Sequence, residues 1–164
     1  QFTDKSIREY NVYRKQKNSA ADRIMLLLRS KRGGEYVEKN TLLRKLVQLR
    51  HAESPFVIGL IADQKPSPRN AHVWTNFLNQ DTSFLDGGEV LSRKFDLGVV
   101  YANITSPKRG YYHIHFHLIT ENPSAMPKDE ITLTYARLIE ANIRQQPERW
   151  LWTHNRWKWS RQQA

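Results

Sequence analysis

The stretch "PFVIGLIAD", residues 55 to 63, is the tightest constraint in the sequence. An unbroken apolar run of this length, ending on a carboxylate, reads as a strand covered on both faces. Before it stand a short strand candidate, "EYVEKN", and "NTLLRKLVQLRHAE". The latter reads as an amphipathic helix with Leu42, Leu43, Leu46, Val47 and Leu49 inward and Asn40 or Thr41 capping it. Strand, helix, strand implies a parallel βαβ unit. Neither this run nor "IMLLL" from Ile24 reaches the roughly 20 residues needed to cross a bilayer.

Further elements follow from periodicity. "AADRIMLLLRSKRGG" is expected to be a helix, with Ile24, Leu27 and Leu28 at helical spacing and Gly33 or Gly34 as a left-handed stop. Arg29, Lys31 and Arg32 crowd its C-terminal end. Residues 65 to 85 carry prolines and polar residues without a clean period, which reads as a long surface loop. "DGGEVLSRKFD" is expected to be a short helix entered through two glycines. "LGVVYANITS" and "GYYHIHFHLIT" then read as antiparallel strands around "PKRG". "DEITLTYARLIEANIRQQ" places Ile131, Tyr135, Leu138 and Asn142 or Ile143 on one helix face. Pro147 is expected to open another helix as its first-turn proline. The expected fold class is α/β, a mixed β-sheet flanked by helices, with residues 1 to 164 forming part of one domain.

Lys and Arg outnumber Asp and Glu 26 to 16, giving a net charge of +10. Polyanions are therefore the expected partners: nucleic acid, anionic lipid or phosphorylated substrates. With no cysteine, disulfides and thiolate metal sites are excluded. The first residue is Gln1 and no leader pattern follows it, which points to a chain beginning partway through a longer gene product.

Candidate chemistry is scattered along the chain. Asp63 and Gln64 close the apolar run, where polar side chains of α/β folds face a ligand crevice; Asp63 could equally cap the next loop. Glu89 lies near a helix N-terminus, suited to anion binding or to a plain cap. Lys108 and Arg109 sit at a hairpin tip, suited to phosphate or to solubility. Arg29, at the end of a helix, is a candidate phosphate contact or a dipole-compensating charge. His113, His115 and His117 share one strand face, but three ligands on an extended strand span about 13 Å, too far to meet at one zinc ion. A solvent-facing or interface strand is the better reading.

The closing block "RQQPERWLWTHNRWKW", residues 144 to 159, holds Trp150, Trp152, Trp157 and Trp159 among cations. Such a block can stack single-stranded bases, sit at a bilayer headgroup level or pack the last helix onto the body. One functional reading is thus a basic nucleic-acid-binding module with an aromatic tail.

Taken in order, "VYRKQKN", "DRIMLLLRSKRGG", "FVIGLIADQKP", "FLNQDTSFLDGGEVLSRK", "VVYANITSPKRGYY" and the closing block resemble the C-terminal part of the lipid A late acyltransferases, within the lysophospholipid acyltransferase superfamily. Pro147, Glu148, Trp150, Trp152, His154, Arg156, Trp157 and Lys158 fit that family's terminal pattern position by position. The resemblance implies a glycerolipid acyltransferase-like fold lacking its N-terminal elements. It also implies acyl transfer from acyl carrier protein to a lipid A precursor or another phosphorylated lipid, at the cytoplasmic face of the bacterial inner membrane.

No cofactor and no nucleic acid partner is implied; an anionic membrane surface is, and unpaired edges make a homo-oligomer conceivable. In that family the base is the His of an H-x-x-x-x-[DE] motif. Here the residues five positions after His51, His72, His113, His115, His117 and His154 are Phe56, Phe77, Leu118, Thr120, Asn122 and Trp159. No catalytic residue is therefore assigned, and the chain alone is expected to be inactive. The expected substrate contacts are Arg29, Asp63, Gln64, Glu89, Lys108 and Arg109.

Overall fold

Two compact units divide the chain, residues 1 to 61 and 62 to 164. The computed structural model describes residues 6–31, 33–52 and 54–163; Arg32, one of the cations noted above, lies outside them. The α/β class is borne out, with parallel pairing in the first unit and antiparallel pairing in the second.

In the first unit, β1 (Arg8–Tyr13), α1 (Ser19–Ser30), β2 (Glu35–Glu38), α2 (Leu42–Leu49) and β3 (Phe56–Gly59) follow one another. The three strands form one parallel sheet in the order β2, β1, β3. The βαβ expectation holds, with β1 inserted between its two strands. Sequence periodicity missed β1, because "REYNVY" mixes charged and aromatic residues without clean alternation. Asn11 pairs with Gly59 in register. A Cβ at Gly59 would stand 2.6 Å from the Asn11 Oδ1, so any larger residue there would make that side chain shift.

Capping is done by Asn18, whose side chain accepts from the Ala21 amide at 3.0 Å to start α1. Gly33 and Gly34 take the left-handed conformation after it, as expected. The expected cap of α2 is corrected. No side chain caps that helix, and a 3-10 turn at Lys39–Thr41 leads in, with the Thr41 hydroxyl donating back to the Glu38 carbonyl.

Burial in this unit is one-sided. Leu42, Leu46 and Leu49 pack inward near Tyr10 and Val37, but Leu43 and Val47, expected inside, are exposed. On an eight-residue helix packed along one side, the stripe at i, i+4 and i+7 is covered, and flanking positions are left out. The apolar run before Asp63 is also corrected: β3 is four residues long and half-buried, and Leu60 and Ile61 are exposed. Ile24, Leu27 and Leu28 of α1 are exposed too.

The second unit opens with a correction. Within the stretch read as a loop, β4 (Val73–Phe77) and β5 (Gln80–Phe84) form an antiparallel hairpin. Leu78 and Asn79 both take positive φ, the geometry of a tight two-residue hairpin turn usually marked by glycine. Next come α3 (Gly87–Phe95), the long hairpin β6 (Val99–Lys108) and β7 (Tyr111–Thr120), and α4 (Glu130–Gln145). The β6 and β7 register sets Val100 opposite Leu118, Ala102 opposite Phe116 and Ile104 opposite Ile114, leaving the histidines on the other face as expected. Pro147 opens only a single 3-10 turn, Pro147–Arg149, because its chain then leaves helical geometry at Trp150.

The core gathers Phe77, Phe84, Tyr101, Ala136, Ile139 and Ile143, with Tyr135, Trp150 and Trp157 packed against it. Phe77 and Phe84 meet edge to face at 5.1 Å. Among the described residues, no helix is long and apolar enough to cross a membrane.

Candidate functional site

The terminal aromatic block is stitched to two other segments of its unit. His154 Nε2 accepts the Lys65 amide at 3.2 Å, and Lys65 Nζ donates to the Asn155 carbonyl at 2.8 Å. These bonds tie Lys65 to His154 and Asn155. Arg156 Nη2 donates to the Ser83 carbonyl at 2.6 Å, and Trp157 Nε1 donates to the Thr82 hydroxyl at 2.8 Å, fixing the block to β5. The indoles of Trp150 and Trp157 are thereby turned to the core, while Trp152 is exposed.

Arg156 is the centre of this junction. It is 3% exposed, and its guanidinium lies 4.6 Å above the Phe84 ring. Among the described residues, its Nε and Nη1 have no hydrogen-bond partner, and neither does the buried Oδ1 of Asp63. Burial pulls Arg156 down to about 10, against the upward pull of Tyr135 and Asp63, so it stays charged at neutral pH. Burial also raises the Tyr135 phenol, with Asp63 and Tyr101 adding to the effect. Tyr101 is raised in the same way, by burial first and Asp63 in addition, opposed by the Asn142 amide. Asp63, Tyr101, Tyr135 and Arg156 thus share one electrostatic environment.

Glu89 lies in a different network, between α3 and α4. Its Oε2 accepts the Thr132 amide at 2.9 Å and the Thr132 hydroxyl at 2.7 Å, and its Oε1 accepts Arg93 Nε at 3.0 Å and Nη2 at 2.7 Å. Arg93 also donates to the carbonyls of Pro123, Met126 and Pro127. Burial alone would raise the Glu89 carboxyl, but the Thr132 and Arg93 bonds outweigh it and hold it below its ordinary value.

Gln64 is exposed next to Asp63. Lys108 and Arg109 are exposed at the β6–β7 turn, with Lys108 Nζ 4.1 Å over the Tyr111 ring. Arg29 is half-buried at the end of α1, in the first unit, where its carbonyl accepts the Tyr36 hydroxyl at 3.2 Å. The sequence marked Arg156 only as part of the terminal pattern and Tyr135 only as part of a helix face, and it did not single out Arg93 or Thr132. The i, i+4 spacing of Glu89 and Arg93 is a signal that could have found their pairing. The His113 and His115 rings sit 6.2 Å apart, and no metal-competent group of three His, Asp or Glu side chains forms among the described residues.

The bacterial lipid A biosynthesis acyltransferase family model matches residues 9–159, nearly the whole chain, and the protein belongs to that family. No curated protein matches it.

Proposed function

We propose that this chain is part of an enzyme that moves a fatty acyl group from an acyl carrier protein thioester to a hydroxyl of a lipid A precursor. The family match over residues 9–159 carries this reading. In the reaction the acceptor oxygen bonds to the acyl carbon, the thioester C–S bond breaks, and the hydroxyl proton ends on the carrier thiolate. A base must take that proton in the transition state. No histidine here is followed five residues on by Asp or Glu, so the base is proposed to come from polypeptide outside these 164 residues.

This chain supplies binding groups. Asp63 and Gln64 face the acceptor; Arg29, Lys108 and Arg109 meet phosphates; Glu89, with both oxygens already engaged, holds α3 against α4. A net charge of +10 suits a phosphorylated lipid, an acidic carrier protein and an anionic membrane surface. The working location is the cytoplasmic face of the inner membrane.

Acyl-loaded carrier protein and lipid A precursor, incubated with this chain alone and with the same chain joined to its upstream segment, test the reading. Transfer is expected only from the longer polypeptide. Turnover by the 164 residues alone overturns the assignment of the base, and absence of transfer from both overturns the activity.

A further inference from the structure

The β6–β7 hairpin reverses the usual arrangement of a half-covered sheet. Antiparallel sheets ordinarily bury their apolar face and leave the polar one to water. Here the body of the second unit takes the mixed face: Tyr101 is buried, its ring 5.7 Å from that of Tyr135 on α4 and 6.2 Å from that of His117. The face turned to solvent is the aliphatic one. Val100 is paired with Leu118 and Ile104 with Ile114, and these four side chains are 50% to 60% exposed. A two-stranded hairpin is marginal in water by itself, and a contiguous apolar patch on it marks a docking surface.

Charge selects what docks there. Residues 99 to 120 contain no Asp and no Glu. Lys108 and Arg109 stand at the turn, and Tyr111 and Tyr112 beside them are exposed. Lys108 Nζ lies 4.1 Å over the Tyr111 ring, and the Arg149 guanidinium lies 5.8 Å over the Tyr112 ring. An aliphatic face thus ends in tyrosines topped by cations, the layering found where acyl chains meet anionic headgroups. A second copy of this chain would bring like charges together, since the net charge is +10. The four aliphatic side chains supply no hydrogen bond, whereas protein interfaces carry about one per 100–200 Å², which favours lipid over an acidic protein.

We propose that this hairpin lies on an anionic bilayer, with Val100, Ile104, Ile114 and Leu118 dipped to the boundary of headgroups and acyl chains and Lys108 and Arg109 at lipid phosphates. The depth is shallow, so the strand edges stay at the level of water and headgroups, where their backbone groups are satisfied. This deepens the acyltransferase reading by naming the face that meets the membrane, and rests on it only for which membrane is met.

Because the chain has no cysteine, Ile114→Cys and His115→Cys each accept one nitrobenzoxadiazole label, on opposite faces of β7. With vesicles of phosphatidylglycerol and phosphatidylethanolamine, the label at position 114 is expected to shift to the blue and to be quenched by nitroxide-bearing lipid, while the label at 115 stays aqueous. Equal responses, or none, overturn the proposal. So does a blue shift at 114 produced without lipid by rising protein concentration, by acyl carrier protein, or by joining the upstream segment. In vesicle sedimentation, Ile104→Ser with Ile114→Ser is expected to weaken binding on the order of tenfold or more, and phosphatidylcholine vesicles to bind the unsubstituted chain far less than anionic ones. Unchanged binding in either comparison overturns the proposal, and the labelled variants decide it if the serine variant does not fold. None of these readouts needs turnover, so absence of acyl transfer defeats the acyltransferase reading and leaves the docking face to its own test.

Discussion

Glu89 and Arg156 are both buried charges of the second unit, and the protein handles them in opposite ways. Both carboxylate oxygens of Glu89 accept two hydrogen bonds, Oε2 from Thr132 and Oε1 from Arg93. Arg156 is as deeply buried, and among the described residues its Nε and Nη1 have no hydrogen-bond partner. A saturated charge ties elements together, and removing it exposes its partners to the full cost of desolvation. A buried charge with fewer partners gains less stability for its burial.

Breaking the seat of Arg156 should have the largest effect on that contrast. Phe84→Ala removes a fully buried ring that packs on Phe77 and lies beneath the guanidinium, and should cost about 3 to 5 kcal/mol in urea denaturation. A loss below about 1 kcal/mol would mean that the β4 and β5 hairpin is not part of the core.

Acid sharpens the Glu89 half. Because the folded carboxyl titrates below its ordinary value, its contribution is complete above that ordinary value and is lost as pH falls through the lowered folded one. Wild type should therefore lose stability on acidification that Glu89→Gln has already lost, and their stabilities should converge at low pH. Parallel curves would show that the carboxylate is not held by its partners.

Trp157→Phe keeps the ring packing and deletes the indole donor to Thr82, for an expected loss of about 1 kcal/mol by thermal unfolding. At the far end, Lys108→Ala with Arg109→Ala should change stability by less than about 0.5 kcal/mol, since both side chains are exposed. The same pair should weaken binding to vesicles containing a phosphorylated lipid, and unchanged binding would remove the hairpin tip from the substrate contacts.

Long-period signals were legible in the sequence and short-range exceptions were not. Ten-residue strands with strict alternation, such as Tyr111–Thr120, and the sixteen-residue α4 declared themselves. The β4 and β5 hairpin did not, because five-residue strands turn on Leu78 and Asn79 with no glycine to mark the reversal. In the first unit, the spacing of Leu43 and Val47 promised burial that the one-sided packing of α2 does not provide. At the site, Asp63 was legible from its place after an apolar strand. Arg156 lies 93 positions further along the sequence, and only tertiary contacts reveal which of its nitrogens have partners. Glu89 read as an anion contact or a plain cap at a helix start for the same reason: Thr132, which bonds it, belongs to α4, beyond the β6–β7 hairpin.

The two buried charges are expected to contribute differently to the fold, and urea denaturation of Glu89→Gln beside Arg156→Met at neutral pH measures the difference. A loss of about 3 kcal/mol is expected for Glu89→Gln and of only about 1 kcal/mol for Arg156→Met, which keeps the packing on Phe84 and gives up one bond to Ser83. Equal losses, or a larger one from Arg156→Met, would make Arg156 a structural pin like Arg93.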